Sequence, residues 1–356
     1  MPRILVVAPS WIGDALLAQP LLRRLHEKHG RVTLDALAPA WCGQVLARMP
    51  EVNEVIDSPF AHGDLKLRAR WKFGRTLAQR RYDQAIVLPN SFKSALIPFF
   101  ADIPLRTGYV GESRYGLLNL IHKLDAARLP LMAERYAQLA ESPGTALRRP
   151  LPLVQLEVDP INKARTTSRL NLDRSRPVAV FCPGAEYGPA KRWPARHFAA
   201  LAQQLAARAY AVWLIGSAKD AELGEEIRAQ SGGLCENLCG KTDIAAAIDL
   251  VSCAKVVVSN DSGLMHIAAA LGKPLLALYG SSSPAHTPPL SLAAQPASAR
   301  IARIDIDCSP CFKRECPLKH FRCMNELLPE RALGDIDALL APEGAAIRSG
   351  PGTGLS

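Results

Sequence analysis

No apolar run in this chain approaches the roughly 20 residues that a membrane-spanning helix requires. The opening MPRILVVAPSW has an apolar stretch of only a few residues, and it leads into a polar turn rather than a cleavage site, so no secretory leader is expected. These absences predict a soluble, cytoplasmic protein. No G-x-G-x-x-G follows a strand-like segment, which argues against a dinucleotide oxidoreductase. The G-x-S-x-G of the usual hydrolases is missing, and so is the G-x-x-x-x-G-K-[ST] phosphate loop. Aromatic residues make up only 6% of the chain, and no RNA-binding aromatic signature accompanies its basic residues. Nucleic acid is therefore not an expected partner.

The rest of the composition is that of a folded protein: 48% hydrophobic and 21% charged. At 356 residues the chain is too long for one ordinary core and predicts two domains. The formal charge of +10 favours an anionic partner, such as a phosphorylated substrate or an anionic membrane face, although a solvated basic surface explains charge alone equally well. The basic residues are densest in KLRARWKFGRTLAQRR (66–81), at helical spacing, which suits phosphate or lipid headgroups.

Strand-like and helix-like segments alternate twice. The first round has strands at 3–9, 32–39, 52–59 and 82–89, with a helix at 14–30 that Pro20 must kink or restart, the basic helix, and a helix after 89. A Pro-rich stretch at 141–177 reads as the interdomain connection with a strand-like entry. The second round has strands at 177–184, 210–217, 255–261 and 274–281. The pattern predicts an α/β protein of two doubly wound parallel sheets, with domains at 1–165 and 166–330 and a closing helix and disordered tail at 331–356. Two such domains place a cleft between the carboxyl ends of their sheets, where open parallel sheets bind ligands.

Four turns carry the candidate chemistry. In VVAPSWIGDALLAQP (6–20), Asp14 stands where the first strand passes into a helix, as a cap or as a proton acceptor. CPGAEYGPAKRWP (182–194) joins a glycine-containing loop, with Gly184, to a helix start, with Lys191 and Arg192 adding positive charge; it suits an anion but equally an ordinary turn. VVVSNDSGLMHIAAALG (256–272) repeats that geometry with Asp261, Ser262, Gly263 and His266, and Gly263 would let a ligand approach the helix's positive end. WLIGSAKDAE (213–222) offers Gly216, Asp220 and Glu222, where nucleotide domains keep a ribose-binding carboxylate. The D-x-D at 305–307 lies after the second round and reads as a chance match. Of nine cysteines, Cys308, Cys311, Cys316 and Cys323 cluster; the spacing fits a zinc set only in part, leaving a structural metal, reduced thiols and oxidisable pairs open.

Together PSWIGDALLAQPL, RTGYVGESRYGLLN (106–119), CPGAEYGPAKRWP, SNDSGLMHIAAALG and CSPCFKRECPL resemble the lipopolysaccharide heptosyltransferases of glycosyltransferase family 9, over nearly the whole chain to about residue 330. The resemblance implies a GT-B fold and inverting, metal-independent transfer of L-glycero-D-manno-heptose from ADP-heptose to the first heptose of the inner core, with no cofactor. It implies Asp14 as general base with Gly13 in the same turn, Lys191 on the donor diphosphate, Asp261 on the donor heptose, and Ser262 and Gly263 near the phosphates. Gly184, Gly216 and His266 are further donor-side candidates, and Asp220 falls where a relative has a ribose-binding glutamate, with Glu222 as rival. The acceptor, an anionic lipid-linked sugar, is expected to meet Lys93, Arg106, Arg114 and the 66–81 helix, with the chain monomeric and peripheral on the inner membrane. Two other readings fit the residues: a GT-B sibling using another sugar or acceptor, and a non-catalytic basic nucleotide- or membrane-binding protein.

Overall fold

The structure, a computed structural model, describes residues 1–61, 63–290 and 298–341. The N-terminal half builds a parallel sheet of β1 (Arg3–Val7), β2 (Thr33–Ala38), β3 (Glu54–Asp57), β4 (Gln84–Val87), β5 (Leu105–Tyr109) and β6 (Leu120–His122), in the order β3-β2-β1-β4-β5-β6. The C-terminal half repeats the plan with β7 (Val178–Cys182), β8 (Ala211–Leu214), β9 (Cys235–Asn237), β10 (Ala254–Asn260), β11 (Leu275–Leu278) and β12 (Ala299–Ala302), in the order β12-β11-β10-β7-β8-β9. The central strands are apolar on both faces because helices cover both: every residue of β7 is buried.

Register decides where the loops emerge. Val7 at the end of β1 lies opposite Leu37 and Val87, so the segments after β1, β2 and β4 leave the sheet along one edge. In the second sheet Phe181 pairs with Leu214 and with Val258, which pairs with Leu276, so the loops after β7, β8, β10 and β11 share an edge too. The predicted two-sheet α/β architecture is what the chain adopts.

Several local expectations change. The single helix at 14–30 is two, α1 (Ile12–Leu17) and α2 (Gln19–His29), with Pro20 in the first turn of α2, where its missing N–H costs nothing. No strand among the described residues enters from the Pro-rich stretch; its end is instead the helix α7 (Pro160–Arg169), following α3 (Ala40–Leu46), α4 (Leu67–Ala78), α5 (Phe92–Phe100) and α6 (Met132–Gln138). Asp159 caps α7, accepting from the N–H groups of Ile161 and Asn162. The expected boundary at 165/166 falls inside this helix. After α8 (Ala195–Ala206), α9 (Ala221–Gln230), α10 (Ile244–Val251), α11 (Gly263–Ala270) and α12 (Arg322–Asn325), the last helix among the described residues, α13 (Pro329–Leu340), buries Ala332, Ile336 and Leu339 in the core of the second domain. It is a layer of that domain rather than a separate closure, and the tail expected to be disordered lies outside the described residues.

One buried cluster runs through both domains, and α1 meets α11 within it. The approach depends on two glycines. A Cβ on Gly263 would stand 2.9 Å from Ile12 Cβ, and one on Gly13 would stand 2.9 Å from His266 Cδ2. Arg48 fixes the same interface from the side, donating to both oxygens of fully buried Asp249 at 3.2 and 2.9 Å. Gly263→Ala is expected to destabilise by about 1–3 kcal/mol through overpacking. Thermal denaturation should register roughly 2–4 °C for each kcal/mol.

Candidate active site

The cavity that the site offers is lined by residues of the N-terminal domain. It holds about 650 Å³ and opens at the ends of β1, β2 and β4, touching Asp14, Trp11, Trp41, Lys93, Glu112 and Arg135 among others. Trp11 and Trp41 are about half exposed at its rim.

Asp14 occupies the third position of α1. The residue capping that helix is Trp11, whose side chain makes no capping bond, so Asp14 does not cap through its side chain. Its carboxylate lines the cavity instead. Burial raises its pKa above the ordinary aspartate value; His286 and Lys191 pull it back and Asp261 pushes it further up. Those three neighbours all belong to the second domain, so this carboxylate of one domain lies within the electrostatic reach of charged groups of the other.

Opposite, Lys191 ends a single 3-10 turn, Pro189–Lys191, after β7. Its Nζ donates to Asp261 Oδ2 at 2.5 Å, and Ser282 Oγ donates to the same oxygen at 2.5 Å. The ammonium also lies 5.2 Å from the ring centroid of Tyr187, over which Arg314 is placed at 5.3 Å. Asn260 braces the turn, accepting from Trp193 N at 3.1 Å and donating to Pro183 O at 2.7 Å. His286 returns to the first domain, with Nδ1 3.0 Å from Pro130 O and its own carbonyl accepting from Met132 N.

The other candidates distribute unevenly. Ser262 precedes α11 without a capping bond, its Oγ 3.3 Å from Ser259 Oγ. Gly13 and Gly263 are spent on the α1–α11 contact rather than on a ligand's approach. His266 is part of that contact, and burial holds it down to about 4, so it is a neutral packed ring at neutral pH. Gly184 and Gly216 make room for Asp220: a Cβ on Gly184 would lie 2.4 Å from Asp220 Oδ2. That oxygen already accepts from Ser217 N and Oγ, while Oδ1 stands 3.8 Å from Arg192 Nη2. Glu222 is exposed on the first turn of α9.

On the acceptor side Lys93 lines the cavity, but Arg106 and Arg114 are corrected to structural groups. Arg106 donates to the carbonyls of Leu117 and Ile103, both at 2.6 Å. Arg114 is 1% exposed and donates to Pro89 O, Asn90 Oδ1, Ser94 Oγ and Tyr109 O, fastening the 106–119 segment against the loop after β4. Burial lowers it to about 10. Arginines of a basic domain read as contacts for an anionic acceptor because sequence does not reveal which carbonyls need donors. Trp41 and Arg135 on the cavity wall, Ser282 on Asp261 and His286 near Asp14 were missed because only tertiary contact places them there.

Known proteins resemble this chain in sequence and in fold. Residues 70–322 match the family described as glycosyltransferase family 9 (heptosyltransferase). Lipopolysaccharide heptosyltransferase 2 of Escherichia coli K12 is 48% identical over 352 residues, covering 96% of this chain and 100% of the relative. Lipooligosaccharide heptosyltransferase 2 of Haemophilus ducreyi is 43% identical over 353 residues, covering 95% and 99%. The solved ADP-heptose LPS heptosyltransferase II of E. coli superposes with a TM-score of 0.84 at 46% identity, over 95% of this chain and 98% of that one.

Proposed function

The chain belongs to glycosyltransferase family 9, the heptosyltransferases, and on that premise we propose that it transfers L-glycero-D-manno-heptose from ADP-heptose to the first heptose of the lipopolysaccharide inner core, with inversion and without a metal ion in the transfer step. It is a glycosyltransferase of the lipopolysaccharide core, as its full-length relatives are; the donor, stereochemistry and acceptor position are the proposal.

The observation that carries it is that Asp14, on the cavity wall, lies within the electrostatic reach of the Lys191–Asp261 ion pair of the second domain. The acceptor hydroxyl oxygen attacks the anomeric carbon from the face opposite the diphosphate. Its proton passes to Asp14 as the bond between that carbon and the β-phosphate oxygen breaks. ADP leaves with growing negative charge, met by Lys191 and by the positive end of α11, whose Ser262 makes no capping bond. Asp261, held by Lys191 and Ser282, is then a hydrogen-bond acceptor for the donor sugar's hydroxyls. Incubation with ADP-heptose and a heptose-terminated acceptor without added magnesium should release ADP and yield the inverted anomer by NMR; retention, or no ADP release, rejects the reading.

A lipid-linked acceptor arrives at a membrane. No helix among the described residues is long and apolar enough to cross one. The start of α4, however, exposes Leu67 and Trp71 beside Lys66, Arg68 and Lys72, and Leu65 just before it also lines the cavity. This edge rests on the anionic headgroups and leads the sugar to Asp14. Flotation with anionic vesicles should recover the protein and salt should release it. Trp71→Ser with Lys72→Glu should weaken binding on the order of tenfold, a basic contact being worth about 1 kcal/mol.

A further inference from the structure

The segment 308–323 has almost no regular structure of its own, yet it supports both loops of the donor side. Phe312 N donates to Ser281 O at 2.6 Å and Ser309 Oγ to Gly280 O at 2.7 Å, which fixes the loop carrying Ser282. Ala190 N donates to Arg314 O at 3.0 Å and Tyr187 Oη to Phe312 O at 3.0 Å, which fixes the loop carrying Lys191. Little apolar burial holds the segment in return: Phe312 and Leu318 are more than half exposed. Its backbone is also strained, with Phe312, Lys319 and Phe321 at φ of 54°, 56° and 48°. Something other than a core must hold these turns.

The cysteines are placed to do so. Cys308, Cys311, Cys316 and Cys323 all line one small cavity, closed on its inner side by Ala190 and Ser281. Each carries a free thiol. Lys319 N donates to Cys316 O at 3.0 Å, turning the chain back at the cluster. We propose that these four cysteines form a tetrathiolate site for a soft divalent cation, zinc or ferrous iron, that fastens the 308–323 segment to the loops bearing Lys191 and Ser282. Four sulfur ligands in a tetrahedron suit either ion. Among the described residues no three such side chains already stand as a coordinating set, so the thiols turn inward about their Cα–Cβ bonds as the ion enters. The ion is structural and takes no part in transfer, so the proposal does not depend on which sugar or acceptor is used.

Elemental analysis of the full chain, purified without chelator or a nickel column, tests it. The expected result is about one zinc or iron per chain, the element identifying the ion, with the cluster thiols unreactive toward a thiol reagent until chelator and denaturant are added. Cys311→Ser with Cys316→Ser should lose the ion and weaken ADP binding, whereas Cys253→Ser should keep both. Should the double variant fail to fold, Co²⁺ added to chelator-treated wild-type protein should give the intense thiolate-to-cobalt charge-transfer band. A native chain with no bound ion and no such band overturns the proposal. So do cluster cysteines paired as disulfides in the intact-mass spectrum, or the ion retained by the double variant.

Discussion

Asp14→Asn is expected to abolish transfer while leaving the melting temperature unchanged or slightly raised. The amide keeps the size of the carboxylate and fills the same place in the first turn of α1, but it cannot accept the acceptor hydroxyl's proton. Loss of a positioned base typically costs about 10²–10⁴ in rate, so kcat should fall by that factor with ADP affinity intact. Stability should move the other way because burial raises this carboxyl's pKa. A folded-state pKa above the unfolded one means that the native protein binds the proton more tightly. The penalty for the charge is absent below the unfolded value and grows as pH rises through the folded one. A neutral side chain removes it. Differential scanning fluorimetry and ADP-release kinetics on the same sample separate the two effects. Substantial turnover in the variant would reduce Asp14 to a dipole contact in the first turn, worth about 0.3–1 kcal/mol.

The same shift sets the acid side of the pH profile. Transfer needs Asp14 ionised, so kcat/KM should rise with pH through a group titrating above the ordinary aspartate value, and that limb should vanish in Asp14→Asn. A profile falling only where an exposed aspartate titrates would remove Asp14 as the base.

What the sequence discloses follows from burial. β1, β2, β4, β7, β8, β10 and β11 are legible because strands covered on both faces read as continuous apolar runs. β5, β6, β9 and β12 lie at or near the sheet edges, and LRTGY, LIH, CEN and ARIA are too short or too polar to make such a run. The start of α7 was written plainly in Asp159-Pro160, but the prolines before it masked the signal. At the site, residues fixed by a strand-to-helix turn (Asp14, Lys191, Asp261) are visible because the turn itself has a chemical signature. Gly13 and Gly263 mislead for a physical reason: a missing side chain admits a ligand or a neighbouring helix equally well, and only the α1–α11 contact decides which.

Lys191→Ala is the sharper probe of the opposite wall, because it should damage stability and transfer for different reasons. Lys191 is 18% exposed and its partner Asp261 6% exposed, so the pair is largely out of water. Removing the ammonium leaves Asp261 with Ser282 as its remaining side-chain donor among the described residues. Stranding a buried charge in this way costs up to about 3–5 kcal/mol, so a marked drop in melting temperature is expected. Transfer should fall as well, and calorimetry should show weaker ADP binding, since the diphosphate loses its cation. The two losses are separable. Lys191→Ala combined with Asp261→Asn removes the stranded charge, so the double variant should recover most of the lost stability, a coupling that a thermodynamic cycle measures directly. It should recover none of the ADP affinity, because no positive charge returns. If ADP affinity came back along with the melting temperature, Lys191 would be only the counter-ion that keeps Asp261 folded in place, and the diphosphate would have to be held elsewhere.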